Sequence, residues 1–474
     1  MDFIIFLIGM LIGYSVANAI QRECFLLMVG KYASKSGNML LAHNNDLSGS
    51  EASMSVKIPK SKEMIYLSDS ANIYGKPASM LVVQIYKGFS EGDAAAINDY
   101  GVAIAGGLSL KLDRNTFVKS IDPLKENGLG GGIRYFALQH AKTARQCVKV
   151  IGECYDKYGI AYPSGVGIAD SNEIWYMEAG GGRSWAAIRI PNDCYFVAAN
   201  SYRIRKVDFS DTLNFLYSTN LQKLYKKYVL SRDTAAQFDF AGFFGGGVRE
   251  KDGNNFYNSR RIWRTIDWLN PQLNLPAGTE NFPMFIRPEN KITLKKCFSI
   301  LRDYYKDTPY DIFEKQNRKK PERAIATFKG VHTEVIEIAP SKPVEFGSIL
   351  WAGVASPFTA VYIPFYFGID SIPPAYGRFA VKSDTNSAFW IFKTLGDLGK
   401  DNYKNKMKTW RQLRRQLESD IIKKQSIIIQ NAEKMIISGS TGLSKYLEEN
   451  NYYFSRQATN LAKEMLNNLM SKQR

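Results

Sequence analysis

The sequence predicts a mixed α+β layer structure with a basic helical region at its C-terminal end. Short apolar runs of strand length recur between turn residues. One long helical stripe interrupts them in the first third of the chain. From Lys400 onward the pattern is helical to the end. With 45% hydrophobic and 23% charged residues over 474 positions, wholesale disorder is excluded and a large core can be buried. The length would allow about three domains, but no internal repeat or low-complexity linker divides it.

The chain opens on an almost continuous apolar run, Phe3 to Ile20, at the short limit for spanning a bilayer. The small-x-small site Ala17-Asn18-Ala19 predicts a signal peptide over residues 1–19 and a short propeptide over 20–23. No Lys or Arg precedes the run, so an uncleaved membrane tether stays open as the alternative. Export is implied, to the medium, a periplasm or an endomembrane lumen. Arg22-Glu23 are the wrong neighbours for lipidation of Cys24.

Cys24–Gly30 and Met39–Asp46 read as a hairpin around the turn residues Ser36-Gly37-Asn38. Antiparallel pairing would return the polar end His43–Asp46 to Cys24. Leu81–Tyr86 and Gly101–Ala105 are further expected strands. Ala141, Ala144, Val148, Ile151, Tyr155 and Tyr158 form one apolar stripe and predict a helix over Tyr135–Tyr158, ended by Gly159. Gly165–Asp170, Glu173–Ala179, Ser184–Ile190 and Cys194–Ala199 predict a four-strand meander. Asp211–Val229 and Arg260–Leu269 read as helices. Gly330–Ile338, Ser348–Ala352 and Ala360–Pro364 return to strand.

Only three histidines occur, His43, His140 and His332, so a multi-histidine metal centre would consume all of them, and no metal or other cofactor is expected. The five cysteines form no C-x-x-C pair, which excludes zinc-ribbon and thioredoxin readings. Cys147 and Cys154 lie two helical turns apart, roughly 10 Å, too far for a disulfide, and no disulfide is expected elsewhere. A cysteine at a mature N-terminus needs no histidine, because its own α-amine, with a reference pKa near 8, can take the thiol proton. The plain alternative is a buried, inert thiol at the start of a strand.

Cys24-Phe-Leu-Leu-Met-Val-Gly-Lys-Tyr-Ala-Ser followed by Leu40-Leu-Ala-His-Asn-Asn-Asp46 resembles the opening of the dipeptidase A and secernin family. These are cysteine N-terminal-nucleophile (Ntn) hydrolases related to penicillin V acylase and bile-salt hydrolase. Ile97-Asn-Asp-Tyr-Gly-Val-Ala-Ile104, Lys142-Thr-Ala-Arg145, Asp170-x-x-Glu-Ile-Trp175, Glu178, Gly181 and Trp185-Ala-Ala extend the likeness. Val197-Ala-Ala-Asn200-Ser-Tyr-Arg-Ile204, Ser259-Arg-Arg-Ile-Trp263, Ile349-Leu-Trp-Ala352 and Tyr362-Ile-Pro-Phe-Tyr366 carry it towards Phe392.

The resemblance implies a four-layer αββα sandwich over residues 24–399, with the basic helical region 400–474 packed on it. Cys24 would be the nucleophile, Asp46 would hold its amine, Asn200 would donate to the oxyanion, and Arg261 would favour the thiolate, with Arg260 as the alternative cation. The superfamily carries Arg three residues before the Asp, and here that residue is His43. Histidine supplies charge only near or below its pKa of about 6.5, so activity favouring mildly acidic pH is expected if His43 fills that role. Gly106-Gly107-Leu108-Ser109 stands where relatives have an oxyanion residue, which leaves Ser109, Asn98 or a backbone N–H as candidates.

The function implied is a cysteine dipeptidase acting on short peptides. An amidase on N-acyl amino acids, and an inactive secernin-like interaction protein, remain alternatives. Of the formal net charge of +17, about half follows Lys400, where 15 basic residues face 7 acidic ones. The run Lys404, Lys406, Lys408, Arg411, Arg414, Arg415 reads as a solvated face or a peripheral contact with an anionic membrane surface. No nucleic-acid recognition module is present in the sequence, so no such partner is expected. Homo-oligomerisation is left open.

Overall fold

The computed structural model describes residues 23–46, 52–60, 77–85, 95–110, 112, 116–231, 233, 237–245, 256–317 and 322–471. The expected leader over 1–19 and positions 20–22 of the propeptide lie outside them. In chain order the strands are β1 (Glu23–Val29), β2 (Met39–Asp46), β3 (Ser53–Ile58), β4 (Met80–Ile85), β5 (Ala95–Asn98), β6 (Ala103–Ser109), β7 (Ser164–Ala169), β8 (Ile174–Ala179), β9 (Trp185–Ile190), β10 (Tyr195–Ala198), β11 (Lys206–Val207), β12 (Phe215–Tyr217), β13 (Phe238–Asp239), β14 (Gly330–Ile338), β15 (Ser348–Val354) and β16 (Ile363–Tyr366). One antiparallel sheet runs β10-β1-β2-β14-β15-β16, and a second runs β12-β9-β8-β7-β6-β5-β4-β3. The fold is thus mixed α/β with antiparallel sheets and a helical C-terminal region.

Period-two alternation sorts the larger sheet into two faces. Leu81, Val83, Ile97, Ala103 and Ala105 join the core shared with β1 and β2. Met80, Val82, Ala96 and Ile104 face the helices Ile133–His140 and Ala144–Tyr158 instead. β1 and β2 pack against β6, so the two sheets meet face to face. Helix Leu294–Leu301 lies against β2 and β14, and helix Leu443–Ser471 against β16. No helix among the described residues is long and apolar enough to cross a membrane.

The hairpin forms as expected, with Cys24 opposite Asn45 and Leu26 opposite His43. Four expectations are corrected. The single helix over Tyr135–Tyr158 is broken at 141–143. Asn98 Nδ2 takes the carbonyls of Leu138 and Ala141, each at 2.7 Å, and ends the first helix. Thr143 then caps the second by accepting from the N–H of Gln146, and Asp170 Oδ2 accepts from that of Ala144. Gly159 closes this helix at φ +84, as its type predicts.

The four-strand meander keeps three strands, because β10 leaves for the other sheet and pairs with β1. Gly30 makes the crossing possible: a Cβ there would sit 2.3 Å from the carbonyl oxygen of Asn192. Asp211–Val229 splits into β12 and the helix Thr219–Tyr225, divided where Ser218 accepts from the N–H of Leu221.

The basic C-terminal run is only partly a solvated face. Met407, Trp410, Arg414, Glu418, Ile421, Gln425 and Ile428 recur at helical spacing and turn inward along helix Lys408–Ile437 and the residue preceding it. Arg414 donates to the carbonyl of Phe358 at 2.6 Å, and Lys404 pairs with Asp311 at 2.9 Å and with Glu314. Glu418 receives Arg302 through both oxygens, at 2.5 and 2.8 Å, and also the N–H of Tyr362 at 3.0 Å. Breaking a buried pair strands its partner, at a cost of ~3–5 kcal/mol. Glu418→Gln should therefore lower the urea midpoint substantially. A shift worth less than about 1 kcal/mol, the ceiling for an exposed pair, would mean this helix is not integral to the fold.

Candidate active site

Cys24 lies near the start of β1, buried between two neighbouring strands. On one side β2 places Asn45 across from it. On the other, Leu26 pairs with Ala198 of β10. The same antiparallel register carried two residues further brings Asn200 to Cys24. The backbone N–H of Cys24 accordingly donates to Asn200 Oδ1 at 3.0 Å, and Asn200 Nδ2 donates to the carbonyl of Ser109 at 3.1 Å. Residues far apart in sequence thus converge on one strand end.

Arg261 grips the other side of Cys24. It belongs to helix Ser259–Leu269 and is fully buried. Nη1 donates to the carbonyl of Cys24 at 2.8 Å, while Nη2 reaches Asn200 Oδ1 at 3.0 Å and Asn258 Oδ1 at 2.5 Å. Asn258 in turn clasps the backbone of Asn200, accepting from its N–H and donating to its carbonyl, both at 3.2 Å. Burial, and then the charge of Arg323, lowers the Arg261 guanidinium pKa from its ordinary value. Of the adjacent arginines, Arg261 is the one on Cys24. Arg260 turns away to Glu322, at 2.8 and 3.2 Å, and lies over the ring of Tyr310.

Asp46 sits at the end of β2, where the alternation turns it to the opposite face from His43 and Asn45. Its Oδ2 is paired with Arg323, and the charges of both act on Arg261. Asn98 spends its amide on the β5–β6 turn: besides the two helix carbonyls, its Oδ1 accepts from the N–H groups of Tyr100 and Val102. Its position is that of a turn staple. Ser109 contributes its carbonyl to Asn200, as above.

The Gly106-Gly107 pair forms a bulge where the β6–β7 register shifts between Ala105 and Leu108. Gly106 holds φ +97, a conformation glycine adopts without strain. The thiol of Cys24 faces the carbonyl of Gly107 at 3.9 Å. His43 faces the same bulge, since a Cβ on Gly106 would lie 3.9 Å from His43 Cδ2. His43 Nδ1 is 2.5 Å from Glu334 Oε1, and His332 Nδ1 is 2.6 Å from Glu334 Oε2. These three could hold a metal by residue type. The N···O separations are those of shared protons, too short for two ligands spread around an ion.

The other cysteines are buried, and no disulfide forms among the described residues. Burial pushes the Cys297 thiol up to about 12 and that of Cys194 up to about 11. Such thiols are inert.

The family model of peptidase family C69 matches residues 23–416, and so begins beside Cys24. The chain belongs to peptidase family C69. Curated relatives of this peptidase carry consistent names. A probable dipeptidase of Salmonella dublin is 28% identical over 359 residues, covering 74% of this chain and 82% of the relative. Dipeptidase A of Lactobacillus helveticus is 28% identical over 407 residues, covering 81% and 83%. A probable dipeptidase A of Streptococcus pyogenes is 25% identical over 461 residues, covering 94% and 96%.

Several neighbours of Cys24 escape a sequence reading. Asn258, Arg323 and Glu334 come from segments with no local signature of chemistry, though a charged residue inside the apolar run Gly330–Ile338 is a signal in itself. Glu178 is another. Its carboxylate, buried on β8, accepts from the N–H of Arg203 at 2.6 Å and of Ile204 at 3.0 Å. It thereby pins the segment that carries Asn200. Burial raises its pKa to about 7, against the pull of those two N–H groups. Its folded pKa thus exceeds the unfolded value, so its contribution to stability is full below the unfolded pKa of about 4.5 and fades as pH rises through about 7. Glu178→Gln should remove that slope. Urea midpoints of both proteins across this window check it, and a constant difference between the two curves would contradict it.

Proposed function

We propose that this chain is a cysteine dipeptidase whose nucleophile is Cys24, exposed as a mature N-terminus by removal of the leader and the propeptide 20–23. The two facing sheets, with helices outside each, support the αββα reading of N-terminal-nucleophile hydrolases. The observation that carries the reading is the double grip on the main chain of one cysteine: Asn200 Oδ1 on its nitrogen and Arg261 on its carbonyl. An inert core thiol needs neither, whereas a nucleophile whose own nitrogen is the base needs that nitrogen held in place.

In this mechanism the α-amine takes the proton from Sγ, and the thiolate attacks the peptide carbonyl carbon. A C–S bond forms and the carbonyl becomes an oxyanion. Asn200 Nδ2, which here donates to Ser109, is the side-chain donor available to that oxyanion, and the N–H groups of the Gly106-Gly107 bulge are the backbone candidates. The C–N bond then breaks as the ammonium returns its proton to the leaving amine. Water attacks the thioester, gives its proton to the α-amine, and the C–S bond breaks to release the acid. Arg261 and the Asp46–Arg323 pair hold the charge balance at the strand end. The names of the relatives support dipeptides over other amides.

The active protein should have an intact mass beginning at Cys24, and Cys24→Ser should lower dipeptide hydrolysis at least ~10³-fold. A dipeptide library assayed beside N-acyl amino acids identifies the substrate class. Full hydrolysis by protein that still carries Ile20 would sink the mechanism, and a preference for the N-acyl compounds would make it an amidase.

A second expectation concerns Arg261. Arg261→Lys keeps the charge but cannot reach Cys24, Asn200 and Asn258 together. It should cost about 10²-fold in kcat/KM, the loss typical of a misplaced reacting group, with Arg260→Lys much closer to wild type. Equal losses in the two variants would remove Arg261 from the site.

A further inference from the structure

The strand registers place six side chains on one face of the smaller sheet: Cys24 and Leu26 from β1, His43 and Asn45 from β2, and His332 and Glu334 from β14. That face looks onto β6. Glu334 bridges the two histidines, one oxygen to each Nδ1, and all three side chains are fully buried. The imidazole rings stand 5.9 Å apart. Burial alone would raise the pKa of the Glu334 carboxyl, and the two imidazoles overcome it and hold it down to about 2. The charge at the centre of the unit is therefore the Glu334 carboxylate, held between the two imidazoles.

His43 Nδ1 is committed to Glu334, so the ring has one other nitrogen for a titrating proton. That atom, Nε2, is buried and has no hydrogen-bond partner among the described residues. It belongs to the ring whose Cδ2 edge faces Gly106, next to the carbonyl that the Cys24 thiol faces.

We propose that Glu334 and His332 are positioning residues that fix the tautomer and orientation of His43, so that a proton bound at His43 Nε2 favours the Cys24 thiolate. The inference rests on Cys24 being the nucleophile. With both rings singly protonated the triad is a net anion and opposes the thiolate. One added proton makes it neutral, and a second makes it a cation. From helix Ile133–His140, Arg134 reaches the Gly106 carbonyl, and Tyr135 feels the charge of Glu334. Among the described side chains, β4 and β5 present the apolar Leu81, Val83, Ala95 and Ile97 to this interior.

The test is the pH dependence of kcat/KM together with the rate of Cys24 alkylation by iodoacetamide, in wild type, Glu334→Gln, His332→Gln and His43→Arg. Glu334→Gln and His332→Gln should each slow alkylation about tenfold near pH 6, one pKa unit of the thiol, and move the alkaline limb of kcat/KM. His43→Arg should restore the rate and flatten that limb. As a readout that survives unfolding of a triad variant, 13C-labelled histidine spectra of the wild-type protein, with His140→Gln for assignment, are recorded as well. Two ring signals should titrate together in the window of the activity limb. Unchanged profiles in folded Glu334→Gln and His332→Gln, or rings that do not titrate between about pH 5 and 8, overturn the inference. Undiminished hydrolysis in Cys24→Ser would instead remove the nucleophile on which it rests, whatever the triad variants do.

Discussion

Everything at this site depends on the antiparallel pairing of β1 with both β2 and β10. A strand paired on one edge could present Cys24 but could not fix it. Paired on both, its first residues have Asn45 on one side and Asn200 on the other, and the thiol is directed into the space between the sheets. Arg261 then closes the end of the strand. Hydrogen bonds of this kind, deep in a low-dielectric interior, are costly to leave unmade. The strand end is consequently held by its own contacts, as the proposed nucleophile would require.

The two glycines of β6 are the counterpart on the facing sheet. A side chain at Gly106 would touch Leu26 and His43, and the bulge turns the Gly107 carbonyl towards the thiol.

Elements with a clean period were legible in the sequence. The first hairpin, β14 and helix Ser259–Leu269 fall within a residue or two of expectation, because alternation or a 3.6-residue stripe decided them. Where the sequence misleads, a polar side chain has overridden the period. Asn98 and Thr143 cut a continuous apolar stripe into two helices, and Ser218 starts a helix where a longer one was expected. Of the candidate site, the local motifs holding Cys24, Asn200 and Arg261 were legible, and the structure brings these three residues together. The site's long-range partners were not legible, because Asn258, Arg323 and Glu334 acquire meaning only through registers and helix docking that no short window encodes. The basic tail misled for the same reason: charge counted along the chain does not reveal that Arg414 turns inward.

The sequence distances have a consequence for when this site can exist. The nitrogen of Cys24 waits for a partner 176 residues downstream, its carbonyl for one 237 residues away, and His43 for one 291 residues away. During synthesis β1 emerges well before Asn200, Arg261 and Glu334. Contacts of such high order form slowly and only after most of the chain is available. With Cys24 as the proposed nucleophile, a half-made chain would hold that cysteine without the Asn200 and Arg261 contacts that the folded protein supplies, and topology would delay the chemistry until those segments are in place.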